Sequence, residues 1–368
     1  RISIKADLKG DEDDFLNGLS DQTDVLSIFK KIQEDILNNV VIKGIKGITN
    51  IVMSEKNMYF KEENEIFTSE NFSIRGPMIP PAFEYLNPNQ LSEAISLLQK
   101  HGEDAKILAG GHSLIPAMKL RFALPEYLID IGGIEGMDYL REEGGQLRIG
   151  AMTRESSLED SELISKKYPL LLDTVKMIAD PQVRNMATVG GNLAHGDPAN
   201  DHPATMIALR ASVIAEGPNG SREIGIDDFF PDFFTTALET NEILTEIRIS
   251  SPPPKSGGAY LKIERKVGDY AAAAVACQLN LNTAGSIEQI GIGLTNVGPT
   301  PIRATSAENL LRGKSPSDDL IKEAGLLAAG DSDPSDDLRG GAEYKKDLLC
   351  ELTQRAIRIS IERSERSG

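Results

Sequence analysis

The spacing of apolar positions changes along this chain and marks out its elements. Residues 25–37 carry Val25, Ile28, Phe29, Ile32 and Ile36 at helical spacing behind Asp24, which is placed to cap them, and 40–42 and 48–53 read as strands. From Phe83 the order is strand, helix, strand. Ser92 is placed to cap a helix with Ala94, Ile95, Leu97 and Leu98 on one side, Glu93 in its first turn and Lys100 near its end. Ile107-Leu108 forms the next strand, 113–120 a short helix, and 127–131 and 146–149 read as strands of one small sheet.

A helical stretch then runs through Leu163, Ile164, Leu170, Leu171, Leu172, Val175 and Ile178 and is expected to stop at Pro181. Residues 204–211 look like a buried helix, 212–215 like a strand and 226–230 like a Phe-rich loop, while 242–249 alternates as a strand should. Pro252-Pro253-Pro254 breaks the pattern, as a hinge between domains would. Beyond it, 258–263, 272–281 and 287–294 read as three strands, the last two joined through Asn282-Thr283-Ala284-Gly285. Helices follow near 306–311, 319–328 and 344–361, and the charged stretch 331–337 is not core. Strands followed by helices predict an α+β architecture.

Composition narrows the class. A chain of 368 residues suggests two or three domains, and 40% apolar content is ample for folded cores. The formal net charge of −17 speaks against a nucleic-acid or membrane-surface partner. No window reaches the roughly 18 continuous apolar residues of a membrane span, and the N-terminus lacks a signal pattern. A cytoplasmic protein with no transmembrane segment is expected. Cys277 and Cys350 are too few for the four thiolates of an iron–sulfur cluster. His101, His112, His195 and His202 show no metal-ligand spacing, so no metal site is expected. Glycine is scarce before residue 77, and composition shifts toward Gly, Ala and Leu after Met78. Residues 1–77 therefore read as a small α+β N-terminal extension or fusion.

Two stretches carry candidate chemistry. Ala109-Gly110-Gly111-His112-Ser113 follows the strand at 106–108, and Thr188-Val189-Gly190-Gly191-Asn192 leads through Asp197-Pro198 to Asp201. Two glycine-rich turns, each offering backbone amides with no Cβ in the way, suit a pyrophosphate. Glycine pairs also mark ordinary tight turns.

From Met78 to about Glu365 the chain resembles the FAD-binding medium subunit of the molybdenum hydroxylases, the group of aerobic carbon monoxide dehydrogenase and xanthine dehydrogenase. Six motifs in order carry the resemblance: Ala109 to Leu114, Arg184-Asn185, Thr188 to Ala194, Asp197-Pro198 with Asp201, Gly268-Asp269-Tyr270-Ala271, and Arg339-Gly340-Gly341-Ala342-Glu343-Tyr344. It implies a two-subdomain FAD-binding fold of the vanillyl-alcohol-oxidase or PCMH type at 78–151 and 152–251. A C-terminal three-stranded sheet with helices follows at 255–365. By the same resemblance Ala109, Gly110, Gly111, His112 and Ser113, with Thr188, Val189, Gly190, Gly191 and Asn192, hold the FAD pyrophosphate. Asp201 accepts from a flavin-side or ribose hydroxyl, Ile178, Ile243 and Leu244 line the ring or adenine, Lys262 lies near the flavin, and Tyr270 covers the isoalloxazine.

Without the resemblance each residue has a plainer reading. Asp201 caps the helix near Pro203, Tyr270 is a half-buried core tyrosine, Ile178, Ile243 and Leu244 are core, Lys262 is solvated, and Arg184 is a surface ion-pair residue, although its place shortly before the glycine pair favours a role in organising that loop. The chain departs from the family where His112 replaces the usual Gln, and where His202 replaces an aromatic or aliphatic residue. Residues 35–53 resemble a short fragment of the RNA polymerase largest subunit, which carries no function over.

The resemblance further implies an oxidoreductase subunit with no catalytic acid, base or nucleophile of its own. It passes electrons from the [2Fe-2S] clusters of a small partner subunit through FAD to an external acceptor. The molybdenum cofactor belongs to a large partner subunit, and the assembly is a dimer of heterotrimers. The alternatives are a free-standing FAD-dependent oxidase or dehydrogenase, and a non-enzymatic interaction protein with a decayed flavin fold.

Overall fold

The computed structural model describes residues 79–366 and, before them, five short strands. The chain divides into two compact units, residues 1–79 and 80–368. In the first, β1 (Lys5–Ala6), β2 (Val41–Lys43), β3 (Asn50–Met53), β4 (Met58–Glu62) and β5 (Glu65–Phe67) form an antiparallel sheet in chain order. The strands expected at 40–42 and 48–53 correspond to β2 and β3. The helix expected at 25–37 lies outside the described residues.

The second unit opens with β6 (Glu84–Leu86), α1 (Leu91–His101), β7 (Ala105–Leu108), α2 (Leu114–Lys119) and β8 (Tyr127–Asp130), whose strands form a parallel sheet in the order β6-β8-β7. Helix α1 buries Ala94, Ile95 and Leu98. Ser92 does not cap it but lies inside it. The Glu93 carboxylate accepts from the Asn89 amide at 3.1 Å, so an acidic side chain rather than a hydroxyl serves this helix start.

Next come β9 (Leu140–Glu143) and β10 (Gln146–Gly150), joined by Gly144 and Gly145 at φ 60° and 76°, the left-handed pair that a two-residue hairpin turn demands. They join β11 (Ser212–Gly217), β12 (Gly220–Gly225) and β13 (Ile243–Ser250) in an antiparallel sheet ordered β12-β11-β13-β10-β9. The strand at 146–149 was expected beside 127–131 and instead belongs to this larger sheet. Its partner is remote: Leu147 and Ile149 lie opposite Ile249 and Ile247 of β13, and all four are buried.

Between the strands run α3 (Glu155–Glu159), α4 (Glu162–Lys167), α5 (Pro169–Met177), α6 (Pro181–Arg184), α7 (Val189–Ala194) and α8 (Asp201–Ala208). The single helical stretch expected up to residue 178 is thus divided. Ser161 caps α4, and Pro169 starts α5. Pro181 begins α6 rather than ending a helix. A proline at the first helical position needs no amide, and Asp180 caps this turn by accepting from Val183 at 3.0 Å.

The last layer is a sheet of β14 (Ser256–Glu264), β15 (Ala271–Leu281), β16 (Ile287–Thr295) and β17 (Ile302–Arg303), covered by α9 (Thr305–Leu311), α10 (Asp318–Gly330) and α11 (Ala342–Arg366). The sheet has four strands rather than three, because β17 is two residues long and too short to show alternation. The layer is also clamped, not hinged, to what precedes it. A Cβ on Gly291 or Gly293 of β16 would stand 2.1 or 2.0 Å from the carbonyl oxygens of Ala208 and Ala204 in α8, so only glycine allows this approach. The architecture is α+β, as expected.

Candidate functional site

Strand β7 ends at Leu108, and the chain turns through Ala109-Gly110-Gly111-His112-Ser113 into α2. Gly111 has φ 75°, a conformation that L side chains rarely adopt. Gly110 has no room for a side chain, since a Cβ would lie 2.3 Å from the Met186 carbonyl oxygen. The exposed His112 ring donates from Nδ1 to the Gly110 carbonyl at 2.9 Å. Among the described residues, the amides of Gly110, Gly111, His112, Ser113 and Leu114 donate to no protein acceptor. Five consecutive unspent donors around a left-handed glycine make an anion cradle, and a diphosphate fits that donor set without any Lys or Arg.

The second turn is built differently. Thr188 caps α7 by accepting from Gly191 at 3.1 Å, while Val189 donates to Thr153 O, Gly190 to Ala151 O and Asn192 to Thr188 O. All four amides are spent inside the protein, contrary to the expectation that both turns offer free donors. Gly190 is glycine for packing: a Cβ there would stand 2.5 Å from that of Ala151. The two turns do face each other, since a Cβ on Gly191 would lie 3.6 Å from that of Ala109. Asn192 adds a buried side-chain oxygen with no partner among the described residues.

Asp201 begins α8 but caps nothing. Its Oδ1 accepts from Tyr260 OH at 2.5 Å and its Oδ2 from Lys262 Nζ at 3.1 Å. Burial pushes the Asp201 carboxyl above its ordinary pKa, against the pull of Lys262 and Tyr260. The Lys262 side chain is 1% exposed, so it is buried rather than solvated; it also donates to Met177 O and lies 3.5 Å from Glu264. Sequence reasoning missed Tyr260. The signal was present, because Tyr260, Lys262 and Glu264 alternate along β14 and share one face.

Ile178, Ile243 and Leu244 all belong to the main apolar core. As neighbours on β13, Ile243 and Leu244 alternate in side-chain direction, and both are buried. Arg184 is not a surface residue: it is buried, donates to the Ile178 carbonyl at 2.9 Å and pairs with Glu159 at 2.7 Å. It thereby fixes the bend before the second turn. His202, whose packing the sequence left open, is fully buried with Nε2 2.7 Å from Glu155 Oε2.

Tyr270 is exposed, at 39%, rather than half-buried in a core, with the Arg339 guanidinium carbon 5.5 Å from its ring centre. Burial pushes its hydroxyl up to about 12, and the charges of Asp197 and Asp201 add to the effect. Burial also raises Asp197 and lowers His195, whose ring meets Phe234 edge-on at 5.3 Å.

Two families match the chain in succession. The FAD binding domain in molybdopterin dehydrogenase covers residues 81–252, and the CO dehydrogenase flavoprotein C-terminal domain covers 258–359. The carbon monoxide dehydrogenase medium chain of Hydrogenophaga pseudoflava is 46% identical over 76% of this chain and 97% of its own length. That of Afipia carboxidovorans is 44% identical over the same shares. A solved structure of the Hydrogenophaga pseudoflava carbon monoxide dehydrogenase, which lacks the Mo-pyranopterin moiety of its molybdenum cofactor, superposes with a TM-score of 0.76 at 47% identity. The match covers 78% of this chain and 99% of that one. The chain belongs to the family of FAD-binding medium subunits of the molybdenum hydroxylases. It is an oxidoreductase subunit, its cofactor is FAD, and its relatives are subunits of multi-subunit complexes. Among the described residues, no helix is long and apolar enough to cross a membrane.

Proposed function

We propose that this chain carries electrons from the [2Fe-2S] clusters of a small partner subunit to an external acceptor, in a cytoplasmic dimer of heterotrimers whose large subunit holds the molybdenum cofactor. FAD supplies the redox chemistry, because a flavin exchanges electrons singly or in pairs. The observation that carries the reading is the row of five unspent amides at 110–114, packed against the second glycine turn. An intact cradle also argues against a decayed flavin fold.

In this reading the amides of Gly110 to Leu114 neutralise the diphosphate, with Ala109 and His112 forming the cradle's wall. Thr188, Val189, Gly190, Gly191 and Asn192 act as a rigid second wall that brings the Asn192 side chain to the cofactor. Asp201, held by Tyr260 and Lys262, offers its remaining lone pairs to a cofactor hydroxyl. Ile178, Ile243 and Leu244 exclude water, and Tyr270 covers the flavin. None of these groups acts as acid, base or nucleophile. The division at 78–151, 152–251 and 255–365 follows the same reading, with the cofactor held by the first two parts.

Purification of the tagged chain from its own cells tests the proposal. The expected result is a yellow protein that brings down two further chains, one carrying iron and sulfide and one carrying molybdenum. The isolated chain would retain FAD yet turn nothing over. Turnover by the isolated chain would favour the free-standing oxidase or dehydrogenase, and colourless protein would overturn the flavin reading.

A further inference from the structure

The Arg339-Gly340-Gly341-Ala342-Glu343-Tyr344 motif takes no part in the cradle, yet its turn is heavily braced. Asp337 accepts from the amides of Arg339 at 2.7 Å and Gly340 at 3.1 Å, and Asp336 from that of Ala342 at 2.7 Å. Lys345, in the first turn of α11, has a side chain 1% exposed and donates to Ser335 O at 3.1 Å and Asp337 at 2.8 Å. A buried lysine committed to the turn's own acid and carbonyl fixes the direction in which Arg339 leaves it.

Arg339 leads to the Tyr270 loop. Its Nη2 donates to Asp269 Oδ1 at 3.0 Å, and its guanidinium lies against the Tyr270 ring. The same Asp269 accepts from the Tyr270 amide at 2.8 Å and from Arg265 at 3.2 Å. On the loop's other side, Gly268 at φ 81° rests on Ala179, whose carbonyl oxygen a Cβ would approach to 2.8 Å. Residues 265–270 are therefore held between the 179 bend and Arg339. Burial alone would raise the Asp269 carboxyl, but hydrogen bonds from Arg339 and the Tyr270 amide, with the charges of Arg339 and Arg265, hold it below its ordinary value. Arginine suits both tasks, since its planar fork pairs with a carboxylate while its face lies on an aromatic ring.

We propose that Arg339 is a positioning residue for Tyr270: paired with Asp269 and laid against the ring, it sets where that aromatic stands relative to the flavin. This inference rests on the proposed reading of Tyr270 as the flavin's cover. A tyrosine in contact with an excited flavin quenches its emission by electron transfer, so fluorescence per bound FAD reports the contact without turnover. In the full chain loaded with FAD, Tyr270→Leu and Arg339→Met should each brighten the emission per bound FAD several-fold. Arg339→Lys should recover part of the quenching, and the double variant should be no brighter than Tyr270→Leu.

If Tyr270→Leu brightens and Arg339→Met stays as dark as the parent, the role of Arg339 is refuted and the reading of Tyr270 stands. If Tyr270→Leu stays dark, both fall. Should Arg339→Met fail to fold, Asp269→Asn cuts the same ion pair from its other end and must brighten the emission for the proposal to survive.

Discussion

The two glycine turns look alike in sequence and differ in what glycine does for them. At Gly110-Gly111 the absent side chains admit a left-handed bend and leave five amides free; at Gly190-Gly191 they admit close packing against Ala151, and the amides are consumed by Thr188, Thr153 and Ala151. Every backbone donor has to be accounted for. The accounting separates a ligand cradle from the wall that supports it, which the glycines alone do not.

The contrast can be broken at several strengths. The largest effect is expected below the second turn, where Asp201→Ala would take from the buried Lys262 cation its nearer carboxylate and leave it Glu264, 3.5 Å away. Loss of one partner of a buried pair costs about 3–5 kcal/mol, read from urea unfolding, and a variant as stable as the parent would remove the pair from the account. Gly190→Val should destabilise by overpacking, at about 1–3 kcal/mol or more. FAD should be lost in parallel with folding and not before it. Release of FAD from a fully stable Gly190→Val protein would mean that the second turn binds directly.

Gly111→Ala should show the reverse pattern. The left-handed backbone costs an L residue about 1–2 kcal/mol, so most molecules stay folded, while FAD affinity measured by titration drops about 5- to 30-fold if the bend relaxes by that energy. A folded variant with parental affinity would contradict the cradle.

A smaller effect follows from His195, which burial holds below its ordinary pKa. Its unfolded form titrates near about 6.5, so just below that pH the unfolded chain binds more protons and stability falls as pH drops toward the folded pKa. His195→Gln should flatten that part of the stability profile, whereas an unchanged slope would exclude His195 as its source. The smallest effect is expected at the exposed His112, where Gln should change stability by no more than about 0.5 kcal/mol. A larger shift in unfolding midpoint would show that its bond to Gly110 O supports the turn.

Much of this site was legible from local pattern. The strand-turn-helix around Gly111 and the burial of Ile178, Ile243 and Leu244 follow from short-range spacing, and the recurrence of a glycine pair marked the two turns as partners. What escaped depends on residues far apart in the chain. The acceptors that consume the second turn's amides lie on Ala151 and Thr153, and the partner of His202 is Glu155. Strand β10 reads locally like a continuation of the first sheet, and only the remote match of Leu147 and Ile149 with β13 assigns it to the second. Lys262 looked solvated because charge outweighs context in a sequence; Tyr260, two positions earlier on the same face, was the clue to its burial.

The most direct measurement is residue-resolved amide hydrogen exchange in the full chain, with FAD bound and after its removal. The expected result is that FAD slows exchange at residues 110–114, whose amides have no protein acceptor among the described residues, and leaves 189–192 nearly unchanged, because those donors are already engaged. Equal exchange at 110–114 in the two states, or protection confined to 189–192, would contradict the account.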